Sequence, residues 1–175
     1  HGGGLDLRFP HHENELAQST AAGDDFANFW MHNGMVTYEG EKMSKSIGNT
    51  ISPVQMLQQA RPLVVRYYLG SAHYRSVLDY RPTSLEEARV AIERVEAFLA
   101  ATLELMTPNP QERRVPQDFA DALDDDMNIP RALAVLHEQT RAGNAALAAG
   151  SDASEFANAV WAMVNVLGLI SLMNL

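Results

Sequence analysis

The chain has 175 residues, no cysteine and a formal net charge of −9, and 46% of its residues are hydrophobic. This composition supports one or two packed cores and argues against a disordered chain. The lack of cysteine excludes disulfides and all-cysteine metal sites within the chain. No apolar run approaches the roughly 20 residues that a membrane-spanning helix needs, and we expect a cytoplasmic protein with no membrane partner.

The first part of the chain predicts short helices and strands in alternation. A glycine turn opens it, and Pro10 stands where a helix could begin. Ser52 is the predicted cap of a later helix. The predicted elements are a helix over 11–20, a strand over 29–37, a polar loop over 42–49 and helices over 54–60 and 63–69.

From residue 84 onward, apolar residues recur at intervals of three and four, which predicts helices. Ser84 and Glu87 predict a capping box at the first of them. Further helices are predicted near residue 119 and over 130–147 and 153–172. We interpret residues 83–175 as an antiparallel helical bundle, separated near Pro82 from a first domain over 1–82. The net charge is −1 in 1–82 and −8 in 83–175, so charge gives no support for RNA binding by the second domain.

The run His11-His12-Glu13-Asn14-Glu15 is the first candidate site. At a spacing of i and i+4, His11 and Glu15 point to one side of a helix and can share a zinc ion, whereas His12 is expected off that face. Two ligands do not complete a protein zinc site, so further ligands would lie outside the chain. The alternative interpretation is a solvated first turn whose carboxylates favour the helix dipole.

The run Lys42-Met43-Ser44-Lys45-Ser46 is the second candidate site. Two ammonium groups and two hydroxyls on a loop suit a polyphosphate, because each lysine can follow charge that moves along the phosphate oxygens. If this run is considered alone, the alternative interpretation is an exposed basic loop without a ligand. The glycine turn that carries His1 and Asp6 is weaker evidence, since a turn carboxylate commonly bonds nearby backbone.

Taken together, these strings resemble the cysteinyl-tRNA synthetases, a family of class I aminoacyl-tRNA synthetases. The resemblance rests on HGGG-x-DL-x-FPHHENE-x-AQS at 1–19, WMH-x-GMV at 30–36 and EKMSKS-x-GN at 41–49, and it resumes at 66–67, 71–76 and 123–130. It implies an α/β fold followed by an all-α part. The α/β part, over 1–82, is the C-terminal part of a Rossmann-like catalytic domain with the KMSKS loop. The all-α part, over 83–175, is the helical bundle.

In this family a zinc ion binds the thiolate of the substrate cysteine. The resemblance implies that His11 and Glu15 are two of its ligands and that two cysteines upstream of the glycine turn supply the others. Lys45 is implied as the main ATP contact, assisted by Lys42, Ser44 and Ser46. The resemblance implies that Lys42 and Lys45 are catalytic and that Lys42, Ser44, Lys45 and Ser46 bind ATP. It also implies Asp6 at the adenosine ribose and His1, His12, Trp30 and His32 at the amino acid.

The implied reaction is activation of cysteine with ATP and magnesium, followed by transfer to tRNA(Cys), by a monomer. The family's HIGH-type sequence is absent, and the chain begins with His1 rather than Met, so we expect a piece of a longer protein that is inactive alone. One alternative is the cysteine ligase of mycothiol synthesis, which transfers cysteine to an amino sugar. Another is a non-catalytic piece that only binds tRNA or a partner.

Overall fold

The computed structural model describes residues 1–44 and 46–170, which fall into two compact units. The first unit comprises residues 1–50 and 74–81, and the second comprises 51–73 and the described residues from 82 onward. The helices of residues 51–73 therefore belong with the second unit, although the sequence assigns 1–82 to the catalytic domain. That domain boundary stays a prediction.

The first unit contains a β–α–β arrangement at its start. Strand β1 (Gly2–Gly4) pairs in parallel with β2 (Met31–Asn33), and helix α1 (Glu13–Ala22) lies between them in the chain. Parallel pairing across a helix is the building unit of α/β folds. Helix α1 begins two residues later than predicted, because Arg8–His12 form a wider π-type turn in which Phe9 is extended. Gly23, with a φ of 85°, ends it.

The predicted strand over 29–37 is divided into β2 and β3 (Val36–Tyr38). The division falls at Gly34, whose N–H donates to the Tyr74 carbonyl at 2.6 Å. A side chain at Gly34 would collide with the backbone carbonyl of Ser76, so the close approach of two chain segments requires glycine here. This approach could not be read from a local pattern of hydrophobicity.

A second small sheet follows in the first unit. Strand β3 pairs antiparallel with β4 (Glu41–Lys42) and parallel with β5 (Leu78–Tyr80), giving the order β4–β3–β5. The segment over 73–80, for which the sequence predicts no definite element, thus contains a strand. The loop predicted over 42–49 begins where β4 ends.

The second unit is helical, as predicted. Its helices are α2 (Pro53–Gln59), α3 (Pro62–Gly70), α4 (Ser84–Ala101), α5 (Gln117–Asp124), α6 (Ile129–Ala148) and α7 (Ser154–Val166). Short 3₁₀ turns cover Leu103–Leu105 and Pro110–Glu112. Ser52 caps α2 in a reciprocal capping box with Gln55, which confirms the predicted cap. Among the described residues, no helix is both long and apolar enough to cross a membrane.

The capping box predicted at Ser84 is wrong. Thr83 is the N-cap of α4 and makes no side-chain cap bond to the helix backbone. Its hydroxyl instead donates to the Glu87 carboxylate at 2.8 Å, one turn further on. The N-cap is therefore one residue earlier than predicted, and its hydroxyl bonds to a side chain and not to a backbone N–H of the helix.

The core of the second unit is made by large side chains from four of its helices. Phe98 of α4, Phe119 of α5, Leu136 of α6 and Met163 of α7 are at most 1% exposed. Burial of a side chain of this size contributes about 1.5–3 kcal/mol relative to leaving it in water. Thr140 is also buried and donates its hydroxyl to the Leu136 carbonyl, so its polar atom is satisfied.

Candidate active site: a histidine–carboxylate cluster and a lysine–serine loop

Three histidines and a glutamate converge where β1, α1 and β2 meet. His1 precedes β1, His12 ends the turn before α1, Glu15 lies in the first turn of α1 and His32 lies on β2. The Nε2 atom of His1 is 2.6 Å from Oε2 of Glu15. The Nδ1 atom of His12 is 2.9 Å from Nε2 of His32. Parallel pairing of Gly3 with His32 brings these ends of the strands together.

His1, His12 and Glu15 form a group that can hold a metal ion. One ligand atom from each lies within 4.8 Å of the other two. Tetrahedral zinc with ligands at about 2.0–2.1 Å separates neighbouring ligand atoms by about 3.3 Å, so small side-chain movements would complete the geometry. Two imidazole nitrogens and a carboxylate oxygen are donors that zinc accepts. The three residues therefore fit a zinc site with room for further ligands.

The structure groups His12, and not the predicted His11, with Glu15. His12, which was expected off the face of Glu15, lies in the cluster, whereas His11 is exposed and lies outside this group of three. His12 precedes Glu15 by three positions, a spacing that also brings side chains together on a helix. The π-type turn over Arg8–His12 changes the geometry that the i,i+4 argument assumes for His11. His11 as a zinc ligand stays a prediction.

Aromatic rings surround this cluster. The Trp30 ring lies 4.9 Å from the His1 ring and 5.6 Å from the His12 ring, measured between centroids. Phe26 lies 5.0 Å from His1 and 5.4 Å from Trp30. Phe26 was not among the predicted residues, and its only sequence signal is its position four residues before Trp30. These rings supply an apolar wall beside the polar groups.

A small cavity of about 210 Å³ opens next to these rings. Its lining comprises Arg8, His12, Glu13, Leu16, Trp30 and His32. The volume lies below the roughly 300–1,000 Å³ of sites for drug-sized ligands, so it suits a small molecule. His12, Trp30 and His32, which are all predicted at the amino-acid site, line this cavity, and Arg8 and Leu16 are additions that only the fold identifies.

The glycine turn makes room for this arrangement. A side chain on Gly3 would lie 3.2 Å from Cε1 of His12, so glycine lets the imidazole, which is 5% exposed, pack against β1. The carboxylate of Asp6 lies directly over Gly4, where it would meet any side chain at that position. Asp6 is exposed and folds back on the turn, and its predicted contact with an adenosine ribose stays a prediction.

The lysine–serine loop has its own hydrogen-bond network. Asn49 closes the loop, because its Oδ1 accepts from the Ser44 N–H at 2.8 Å and its Nδ2 donates to the Lys42 carbonyl at 3.2 Å. The hydroxyls of Ser44 and Ser46 are 2.7 Å apart. Lys42 is exposed at the end of β4. Lys45, the predicted main ATP contact, lies outside the described residues.

Two known families match most of the chain. Residues 1–90 match the family described as tRNA synthetases class I (C) catalytic domain, and residues 118–171 match the DALR domain. The cysteine–tRNA ligase of Kocuria rhizophila is 67% identical over 100% of this chain, and that of Paenarthrobacter aurescens is 63% identical over 98%. The chain spans 37% of the length of each of these relatives.

Solved structures share the fold. A LeuRS from Agrobacterium radiobacter K84, in a ternary complex with tRNA and LeuAMS, matches 96% of this chain with a TM-score of 0.71 at 17% identity, over 25% of its own length. The methionyl-tRNA synthetase of Mycobacterium tuberculosis, bound by methionyl-adenylate, matches 97% with a TM-score of 0.60 at 18% identity, over 39% of its length. At identities this low, the similarity shows the fold alone. It confirms an α/β layout followed by helices. With a matching family over half of its length and relatives above 60% identity, the chain belongs to the cysteine family of class I tRNA synthetases.

Proposed function

We propose that a protein carrying this chain ligates cysteine to tRNA(Cys) in two steps at the expense of ATP. The observation that carries the proposal is the cluster of His1, His12 and Glu15 beside a small aromatic-walled cavity. The same unit contains the lysine–serine loop. The names of the relatives support the same activity.

In the first step, a carboxylate oxygen of cysteine attacks the α-phosphorus of ATP, which enters with magnesium. The bond from this phosphorus to the bridging oxygen breaks, and pyrophosphate leaves with that electron pair. Lys42 stabilises the negative charge that develops on the phosphate oxygens, and we assign Lys45 to the same task. The hydroxyls of Ser44 and Ser46 are 2.7 Å apart, and we assign both as donors to phosphate oxygens.

In the second step, a ribose hydroxyl of the terminal adenosine of tRNA attacks the carbonyl carbon of the adenylate, and AMP leaves. No covalent bond to the protein forms, so catalysis consists of positioning and charge stabilisation. We assign Asp6 to the adenosine ribose. The Trp30 and Phe26 rings pack around the small amino-acid side chain and exclude water from it.

The residues of the cluster fit zinc, and we propose that His1, His12 and Glu15 hold it, with His11 as the alternative that the resemblance implies. When bound, zinc supplies a Lewis-acidic centre that takes a cysteine thiolate and rejects a serine hydroxyl. The bond between Nδ1 of His12 and His32 leaves Nε2 of His12 available as a ligand atom. His32 thereby fixes the orientation of the His12 imidazole, as outer-shell partners of metal ligands do.

The test replaces the matching segment of the Kocuria rhizophila ligase with these 175 residues. We expect the chimera to catalyse cysteine-dependent exchange between ATP and pyrophosphate and to charge tRNA(Cys). Lys42→Ala should lower both rates, whereas Arg131→Ala, an exposed cation of the second unit, should not. A folded chimera without exchange would contradict the proposal. Transfer of labelled cysteine to an amino sugar instead of tRNA would identify the other class of acceptor.

A further inference from the structure

The carboxylate of Asp79, on β5, bonds to strand β3 and to the turn that joins β3 to β4. Its Oδ1 accepts a hydrogen bond from the Thr37 hydroxyl at 2.8 Å and from the Gly40 N–H at 2.6 Å. Its Oδ2 accepts from Nε of Arg81 at 2.9 Å. The Gly40 N–H, followed by Thr37 and Arg81, holds the pKa of the Asp79 carboxyl below its ordinary value. The ionised form, which has only acceptors, is therefore the one that fits this site.

The turn that Asp79 bonds has a demanding backbone. Glu39 and Gly40 both have positive φ, 50° and 82°, as the two central residues of a type I′ hairpin turn do. Glycine adopts this conformation freely, but Glu39 carries a side chain and persists there only if neighbouring contacts hold it. The Glu39 N–H donates to the Tyr80 carbonyl at 2.9 Å, and Asp79 holds Gly40. Both central residues of the turn are thus bonded to β5.

The hairpin leads directly into the lysine–serine loop. Lys42 is the last residue of β4 and lies opposite Thr37 in the pairing of β3 and β4. Its carbonyl accepts from Asn49, which also accepts from the Ser44 N–H. Lys42 is therefore connected to Asp79 on the strand side, through Thr37 and the turn, and to Asn49 on the loop side. We therefore expect a change at Asp79 to displace the strand end from which the Lys42 side chain extends.

We propose that Asp79 is a positioning residue that fixes the start of the lysine–serine loop, and hence Lys42, for phosphate binding. The assignment of the loop to phosphate rests on the proposed function, but the effect of Asp79 on loop order does not. Asp79→Asn keeps an oxygen that accepts from Thr37 and Gly40 and loses only the contact with Arg81, which is exposed. Asp79→Ala removes all three bonds.

The sequence supplies a direct probe of this loop, because Lys42 and Lys45 are the only lysines among the 175 residues. A lysine-specific protease therefore cuts the full chain nowhere else. We expect Asp79→Ala to be cut roughly five-fold faster than the unsubstituted chain, since the loss of all three bonds favours local opening. Asp79→Asn should be cut within about twofold of the unsubstituted rate, because it keeps the bonds to Thr37 and Gly40.

The matched control is Asp152→Ala in the second unit. Asp152 also accepts two bonds from its neighbourhood, from the N–H and the hydroxyl of Ser154. Its loss destabilises the start of α7 but should leave the cutting rate at the loop unchanged. Equal rates for Asp79→Ala and the unsubstituted chain would overturn the proposal. So would a control variant that is cut as fast as Asp79→Ala, because the effect would then reflect general loosening.

Kinetics of the active chimera separate positioning from a purely structural role. Asp79→Ala should lower the kcat of ATP–pyrophosphate exchange on the order of ten-fold, because a displacement of about 1 Å costs a catalytic group much of its effect. The KM for cysteine should stay unchanged, and Asp79→Asn should restore kcat. Unchanged kcat in Asp79→Ala, or no rescue by asparagine, would overturn the proposal. If the unsubstituted chimera is inactive, the proposed function fails while the protease result still decides the role of Asp79.

Discussion

The substitution Gly143→Ala should destabilise the helical unit, although it replaces glycine in the interior of a helix. Gly143 is buried in α6, where a side-chain carbon would overlap the Phe98 ring of α4 and lie 2.9 Å from Cβ of Phe156 on α7. Phe98 is 1% exposed, so its ring has no solvent into which it can move. The added methyl group must therefore push two helices away from α6.

Two opposing free-energy terms determine the size of this effect. Alanine in place of glycine in a helix interior gains about 0.8–1 kcal/mol of helix propensity. Inserting a methyl group into a packed core costs about 1–3 kcal/mol and more where backbone must move. With the overlap on both sides of the site, we expect a net loss of about 1–2 kcal/mol in the free energy of unfolding.

Urea unfolding of the chain, followed by circular dichroism, measures this difference. The matched control is Gly70→Ala at the end of α3, where an added carbon meets nothing within 4 Å. Only the propensity term acts there, so the control should be neutral or stabilising. The double variant with Phe98→Leu should recover part of the loss at Gly143, because it shortens the opposing side chain. A stabilised Gly143→Ala chain would refute the packing argument.

Three further predictions concern the metal site, pH and a helix end. His12→Ala should lower the zinc affinity of the chain by more than the roughly 10–100-fold known for outer-shell partners, and His11→Ala should lower it less. Calorimetric titration with zinc measures both affinities, and a larger loss for His11→Ala would support His11 and Glu15 as the ligand pair. Burial and two nearby arginines lower the pKa of His137 from its ordinary 6.5, so the unfolded chain takes up a proton that the folded chain refuses. The free energy of unfolding should therefore fall as pH drops through 6.5. Nε2 of His137 lies 2.7 Å from the Tyr67 hydroxyl, and His137→Gln, which can keep a bond to this hydroxyl, should flatten the slope in urea titrations; an unchanged slope would contradict the assignment. Arg66 donates from Nε and Nη2 to the Leu167 carbonyl at the end of α7, both at 3.3 Å. Arg66→Met should lower the free energy of unfolding in urea by about 0.5–1.5 kcal/mol. An unchanged midpoint would show that this cap is not stabilising.

The helices and the class of fold could be predicted from the sequence because their signals are local. Apolar spacing of three and four indicates α4, α6 and α7, and Ser52 with Gln55 sets the start of α2. The HHENE and KMSKS strings indicate the family because they place several chemical groups in a fixed order along the chain. The error at Ser84 shows the limit of such signals, since neighbouring polar residues compete for one cap.

The details of the candidate site depend on residues that are distant in the chain, and only the tertiary structure decides them. The turn before α1 determines that His12 joins Glu15, and the pairing of β1 with β2 brings His1 and Trp30 beside them. Asp79 meets the Gly40 turn across 39 positions of sequence, and no local pattern indicates that contact. By itself the sequence determined most of the helices and the chemical groups available, because these depend on near neighbours. The packing of those elements decided which groups meet, because contacts between distant residues exist only once the chain has folded.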